Sequence, residues 1–126
     1  MIMPKTFFLL GCTFSFLGVA LGAFGAHALK QKLSPDMLQV FEVGVRYQMY
    51  HAFALFVVAW TLHAWNLNSA GASGWWFTAG ILLFSGSLYA LAFSGLQWLG
   101  AITPIGGLCF LIGWLWLGWC VWKNIP

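Results

Sequence analysis

The groups that could do chemistry in this 126-residue chain are few: His27, Tyr47, Gln48, His51, Ser85, Ser87, Tyr89 and Thr103, each set in a stretch that is otherwise largely apolar. Two imidazoles facing one another across helices can share a haem iron, and a single one can carry a proton. Amides and hydroxyls in hydrocarbon bond to neighbouring helices instead, at about 0.6 kcal/mol each on average. What is missing narrows the choice. Hydrolases and transferases need a nucleophile paired with a base, or carboxylates around a metal, and the chain has no such set. Its carboxylates, Asp36 and Glu42, fall in a connector, away from the membrane depth at which a carboxylate couples protons to export. His27 shares a depth with His51 but is off the glycine seam of its helix unless the helix unwinds after Gly25, so depth alone does not make the two imidazoles face one another. No haem, metal or other cofactor is expected, and no enzymatic activity.

Composition decides which elements must position these side chains. The chain is 62% hydrophobic and 6% charged, with a mean hydropathy of +0.89, too apolar to wrap itself in a water-compatible surface. Residues 7–29, 47–65, 75–93 and 98–122 form four stretches of the length that crosses a ~30 Å hydrocarbon core as helix. The sequence therefore predicts an all-α protein, a four-span transmembrane bundle in which residues 1–126 make one membrane domain. Trp65, Trp75, Trp76, Trp98, Trp119 and Trp122 fall at predicted span ends, where amphipathic rings settle among headgroups. Net charge is +3, but Lys5, Lys30, Lys32, Arg46 and Lys123 are scattered, so the clustered basic face that nucleic acid requires is missing. The expected partner is the lipid bilayer, with a second copy or another membrane span beside it.

Cys12, Cys109 and Cys120 lie within spans; an odd number without Cys-x-x-Cys spacing reads as free apolar filler. Ala26-His27-Ala28 imitates a leader-cleavage site, but the apolar run from Phe7 to Leu29 is longer than a leader's core, so it reads as a retained span.

In that first span Gly11, Ser15, Gly18, Gly22 and Gly25 recur at spacings of 4, 3, 4 and 3. Such a flat seam predicts close backbone approach to a neighbour, within the chain or in a second copy. Ser34-Pro35-Asp36 marks a helix start, and Met37, Leu38, Phe41 and Val45 give the following turns an apolar stripe. A short amphipathic helix over 35–46 is expected between spans one and two, lying at the membrane surface or leading directly into the next span, with Gly44 as a hinge. Pro104 is expected to kink the fourth span, and Gly106-Gly107 to let it pack closely. At ~1.5 Å per residue His51 falls about 6 Å inside span two, while Tyr89 and Thr103 fall about 7 Å inside theirs. His27, Gln48 and Ser87 share that depth, which predicts a polar cluster in one half of the bundle. Gly44, Gln48, His51, Leu55, Ala59 and Leu62 fall on one stripe, the expected packing face of span two.

Four blocks, Leu21-Gly-Ala-Phe-Gly-Ala-His27-Ala-Leu29, Tyr47-Gln48-x-x-His51-Ala52, Leu83-Phe-Ser-Gly-Ser-Leu-Tyr89 and Thr103-Pro104-x-Gly106-Gly107, occur in that order. Together they resemble the small bacterial inner-membrane family called domain of unknown function 423, over essentially the whole chain. The resemblance implies a four-span helical protein of the bacterial inner membrane with no assigned activity and both termini in the cytoplasm. The leading expectation is a non-enzymatic membrane protein that binds a lipid, a small amphiphile or a partner span through the polar half-bundle. The alternative is a small transporter or channel subunit that uses His51 as a protonatable group.

Overall fold

The computed structural model describes residues 2–126, with side chains from Met3 onward. Every described regular element is helical. Helix α1 (Ile2–Val19) runs through a π-helical turn (Ala20–Gly25) into the short α2 (Ala26–Leu29). Helix α3 (Pro35–Ala64) returns alongside it. A third rod is made of a 3-10 turn (Asn68–Ala70), α4 (Gly71–Gly80), a second π-helical turn (Ile81–Ser85) and α5 (Gly86–Ser94). A second 3-10 turn (Gln97–Ala101) leads into α6 (Thr103–Asn124). Three of the four rods, Met3–Leu29, Asn68–Ser94 and Gln97–Asn124, are long and apolar enough to cross a membrane.

The remaining rod, α3, has the length but is more polar, because Gln48, His51 and Thr61 are buried within it. Its start follows local chemistry: the Met37 N–H donates to Ser34 Oγ at 3.3 Å, Pro35 opens the helix and Asp36 sits in the first turn. Of the two arrangements expected for 35–46, the one in which it leads directly into the next span is found: it and the span expected over 47–65 are one helix. Nothing between them breaks the backbone ladder. Gly44 is a notch and not a hinge: a Cβ there would lie 2.8 Å from Tyr89 Cε1, so the ring occupies the space a side chain would take. Pro104 is corrected in the same way. The chain turns as 3-10 helix over 97–101, and α6 begins at Thr103 with the proline in its first turn. Its missing N–H has no intrahelical partner to lose there. The proline opens a helix and does not kink one.

Rings and sulfur seated in glycine notches hold the rods together. Lipid gives no hydrophobic drive between helices, so dispersion contact at close range has to serve. Along α1 and the π-helical turn that continues it, added Cβ atoms would meet Phe56 at Gly11, Met49 at Gly18, Val45 at Gly22 and Phe41 at Gly25. Numbers rise on one helix as they fall on the other, so α1 and α3 are antiparallel and the glycine seam faces α3 of its own chain. Ser15, the remaining seam position, has a buried hydroxyl without a partner. Phe7 fills the notch of Gly74, Phe110 that of Gly80 and Phe77 that of Gly113; these three rings are at most 4% exposed. Helix α3 packs on α1 and on α4 and α5, and α6 packs on α4 and the second π-helical turn. Helices α3 and α6 meet chiefly through aromatic side chains, and a groove opens between them.

Candidate functional site

Gln48 ties three rods. Its Nε2–H donates to the Phe14 carbonyl of α1 at 2.8 Å, and its Oε1 accepts from the Tyr89 hydroxyl of α5 at 2.7 Å. A carbonyl can only accept, which fixes the amide orientation. Gly18 makes the reach possible, since its missing side chain leaves room for Met49 and the Gln48 amide. One turn earlier, the buried Ser85 hydroxyl donates to the Gly44 carbonyl at 2.6 Å. The π-helical turn of which Ser85 is the last residue aims it there. Ser87 and Thr103 share a hydrogen bond of 2.7 Å that joins α5 to the first residue of α6, while Ser87 also donates to the Phe84 carbonyl at 3.0 Å.

His51 is held at both nitrogens. Nδ1 lies 2.7 Å from the Tyr47 carbonyl and Nε2 lies 3.2 Å from the indole Nε1 of Trp114. A carbonyl accepts and an indole N–H donates, so the ring is the neutral tautomer with its hydrogen on Nδ1. It stacks face to face on Phe110, with centroids 3.4 Å apart and planes 6° apart. Tyr47 lies one turn away, its ring 4.7 Å from that of Phe84 and its edge open to the groove.

Seven of the eight expected polar residues thus fall in one region, as linked pairs and not as a single network. His27 does not join them. It is exposed on α2: the glycine side of 22 and 25 faces Val45 and Phe41 of α3, and residue 27 falls off that side. The expected depth also changes. Since 35–64 is one helix, His51 lies about 24 Å from its start and about 20 Å from its end, near mid-rod and not 6 Å from an edge. Of the two glycines after Pro104, Gly106 is buried against the Phe84 backbone, whereas a Cβ at Gly107 would be 3.9 Å from the Phe84 ring and has room.

Trp114, Phe110 and Phe84 belong to the site without having been expected there. Trp114 carried a usable signal. An indole placed away from a span end has an N–H that needs an acceptor, and His51 is the unsaturated acceptor on the facing rod.

The groove between α3 and α6 has a volume of about 780 Å³. Tyr47, Tyr50 and His51 form one wall, Leu108, Leu111 and Trp114 the other, and Phe84 lies between. It runs from the start of α6 to mid-rod and is open along its length. The hydroxyls of Tyr47 and Tyr50 have no hydrogen-bond partner among the described residues. No group of histidine, cysteine or carboxylate side chains that could hold a metal occurs among the described residues, and Cys12, Cys109 and Cys120 are free thiols.

Replacing Gln48 by leucine, close to it in size, is expected to lower stability by about 1–2 kcal/mol through the loss of two interhelical hydrogen bonds. With Tyr89→Phe as the second arm of a double-mutant cycle, the Gln48–Tyr89 coupling is expected at about 0.6–1 kcal/mol. Denaturation in mixed micelles measures both, and additive losses would mean that the two side chains do not bond.

The family model described as a protein of unknown function, DUF423, matches residues 21–107. That interval contains Gln48, His51, Ser85, Ser87, Tyr89 and Thr103; Trp114 and all of α1 lie outside it. The UPF0382 membrane protein YwdK of Bacillus subtilis is 49% identical over 112 residues, which is 88% of this chain and 91% of that one. The UPF0382 membrane protein SH2409 of Staphylococcus haemolyticus is 46% identical over 113 residues, 90% of this chain and 92% of its own. A UPF0382 membrane protein of Staphylococcus epidermidis is 46% identical over 111 residues, covering 88% and 90%. No solved structure matches the chain. Matched by the family model across its polar region and by these relatives almost from end to end, the chain belongs to the DUF423 family of membrane proteins.

Proposed function

We propose that this is a non-enzymatic, four-span protein of the bacterial inner membrane whose α3/α6 groove binds the hydrocarbon tail of a lipid or small amphiphile. Four spans are supported by the register of α1 against α3: four successive glycine positions of one meet four successive positions of the other. A helix that runs antiparallel along an apolar span, joined to it by residues 30–34, crosses the same depth. Its polarity is no obstacle, because Gln48, His51 and Thr61 find hydrogen bonds inside the protein. Both termini then share one side, which we put in the cytoplasm on the family resemblance, since the charges are nearly balanced, with Lys5 and Lys123 on that side and Lys30, Lys32 and Arg46 on the other.

The groove carries the reading. Its volume is within the range of small-molecule sites. It is lined almost wholly by apolar and aromatic surface and offers two unused phenol donors to an ester or hydroxyl group. The rival role, with His51 ferrying a proton, is less well supported, since both ring nitrogens are already engaged.

Gly107→Phe tests the proposal, because that position lines the groove and has room for a side chain. Protein in dodecyl maltoside, incubated with dioleoylphosphatidylcholine, is read by native mass spectrometry. The wild type is expected to retain a lipid and Gly107→Phe to lose most of that occupancy. Gly118→Phe, at a position with open space outside the groove, is expected to keep it. Equal occupancy in all three would remove the groove as the site.

A further inference from the structure

The opposite end of the molecule carries a second cleft, of about 360 Å³, between the first turns of α1 and the last turns of α3. Phe8, Phe56, Ala59 and Trp60 wall it, and Lys5 and His63 complete the lining. The Phe8 and Phe56 rings meet edge to face at 5.0 Å, and Trp60 meets Trp65 in the same manner at 4.7 Å. Lys5 stands near the start of the apolar rod Met3–Leu29, and His63 in the last turn of α3. Their nitrogens are therefore at headgroup level, with the aromatic walls a turn or so deeper. Both carboxylic side chains of the protein, Asp36 and Glu42, lie in the first turns of α3, at the other end. A lysine with no acidic side chain at its end of the molecule, set over an apolar slot, matches a phosphodiester followed by an acyl chain in both charge and depth.

We propose that this cleft is a site for an anionic phospholipid. The Lys5 ammonium and a ring N–H of His63 hold the headgroup phosphate, and one acyl chain lies between Phe8, Phe56 and Trp60. The site is in the leaflet opposite the α3/α6 groove and does not depend on that groove being occupied.

The test uses the full chain in dodecyl maltoside with an equimolar mixture of phosphatidylglycerol and phosphatidylcholine of matched acyl chains, read by native mass spectrometry. One basic side chain at a membrane surface accounts for about a five-fold preference for an anionic lipid. The wild type is expected to show about that enrichment, and the Lys5→Gln, His63→Gln pair to bring it close to unity. Both side chains are exposed, so folding is not at risk. Lys123→Gln removes a charge at the same end but outside the cleft and is expected to keep the enrichment. Gly107→Phe should keep it too, which separates the two sites. An unselective wild type, an unchanged double variant, or an equal loss in Lys123→Gln would overturn the proposal.

Discussion

Alanine at Gly106 is expected to lower stability by about 2–3 kcal/mol, the largest effect of adding one methyl group anywhere in the chain. The added Cβ would lie 2.7 Å from both Cα and Cβ of Phe84, and against its backbone nitrogen as well. A flexible side chain swings aside from such an intrusion, but backbone does not. At Gly113 and Gly80 the obstacle is the ring of Phe77 or Phe110, which can tilt at smaller cost. At Gly106 the whole of α6 has to move away from the second π-helical turn. That motion would also draw Thr103 from Ser87 and Phe110 from the Gly80 notch, so the loss spreads beyond one contact. Gly86→Ala and Gly118→Ala are the comparisons: nothing lies within 4 Å of either added Cβ. Both are expected to be neutral or slightly stabilising, because alanine is the better helix former. Unfolding in mixed micelles followed by far-ultraviolet circular dichroism measures all three. If Gly106→Ala unfolds together with Gly118→Ala, α6 does not lie against Phe84.

That contact shows what a sequence can and cannot disclose about a chain of this kind. Gly106 and the seam from Gly11 to Gly25 are visible as small residues at regular spacing, so close packing is predictable, but spacing carries no information about what fills the notches. The blocks that carry the family resemblance acquire separate duties: Ser85 holds the Gly44 carbonyl, Tyr89 holds Gln48, and Ser87 holds Thr103. Hydropathy is a poor guide to depth here. The 97–101 turn is itself largely apolar, so by hydropathy the fourth span begins before Pro104 and the proline falls inside it. Glu42 and Arg46, both exposed on α3, give its first turns the pattern of a surface helix, and a span counted from residue 47 puts His51 near one edge. His27 shows a different difficulty. Depth along a helix follows from counting, but facing depends on accumulated rotation, and the π-helical turn at Ala20–Gly25 changes that rotation just before it.

Leucine at both Gly18 and Gly22 is expected to cost more than about 3 kcal/mol and to leave the mass of the detergent-solubilised particle unchanged. A Cβ at Gly18 would land on the Met49 sulfur and 3.1 Å from Met49 Cγ, and one at Gly22 would be 3.0 Å from Val45 Cγ1. Methionine can re-thread around a single methyl group, so Gly18→Ala alone should be mild. Valine is held near one χ1 rotamer in a helix and has little room to yield. Two leucines exceed what either residue can absorb, and α1 must separate from α3. The Gln48 amide then loses the Phe14 carbonyl, which adds an unsatisfied polar group in hydrocarbon to the lost packing. A small-residue seam in a membrane helix commonly joins separate chains, and in that case the same pair of leucines would dissociate an oligomer while sparing the fold of each copy. The antiparallel register against Phe41, Val45, Met49 and Phe56 requires the reverse: loss of stability within one chain. Light scattering on the solubilised protein together with denaturation in mixed micelles separates the two results. A drop in particle mass at unchanged stability would show that the seam serves a second copy.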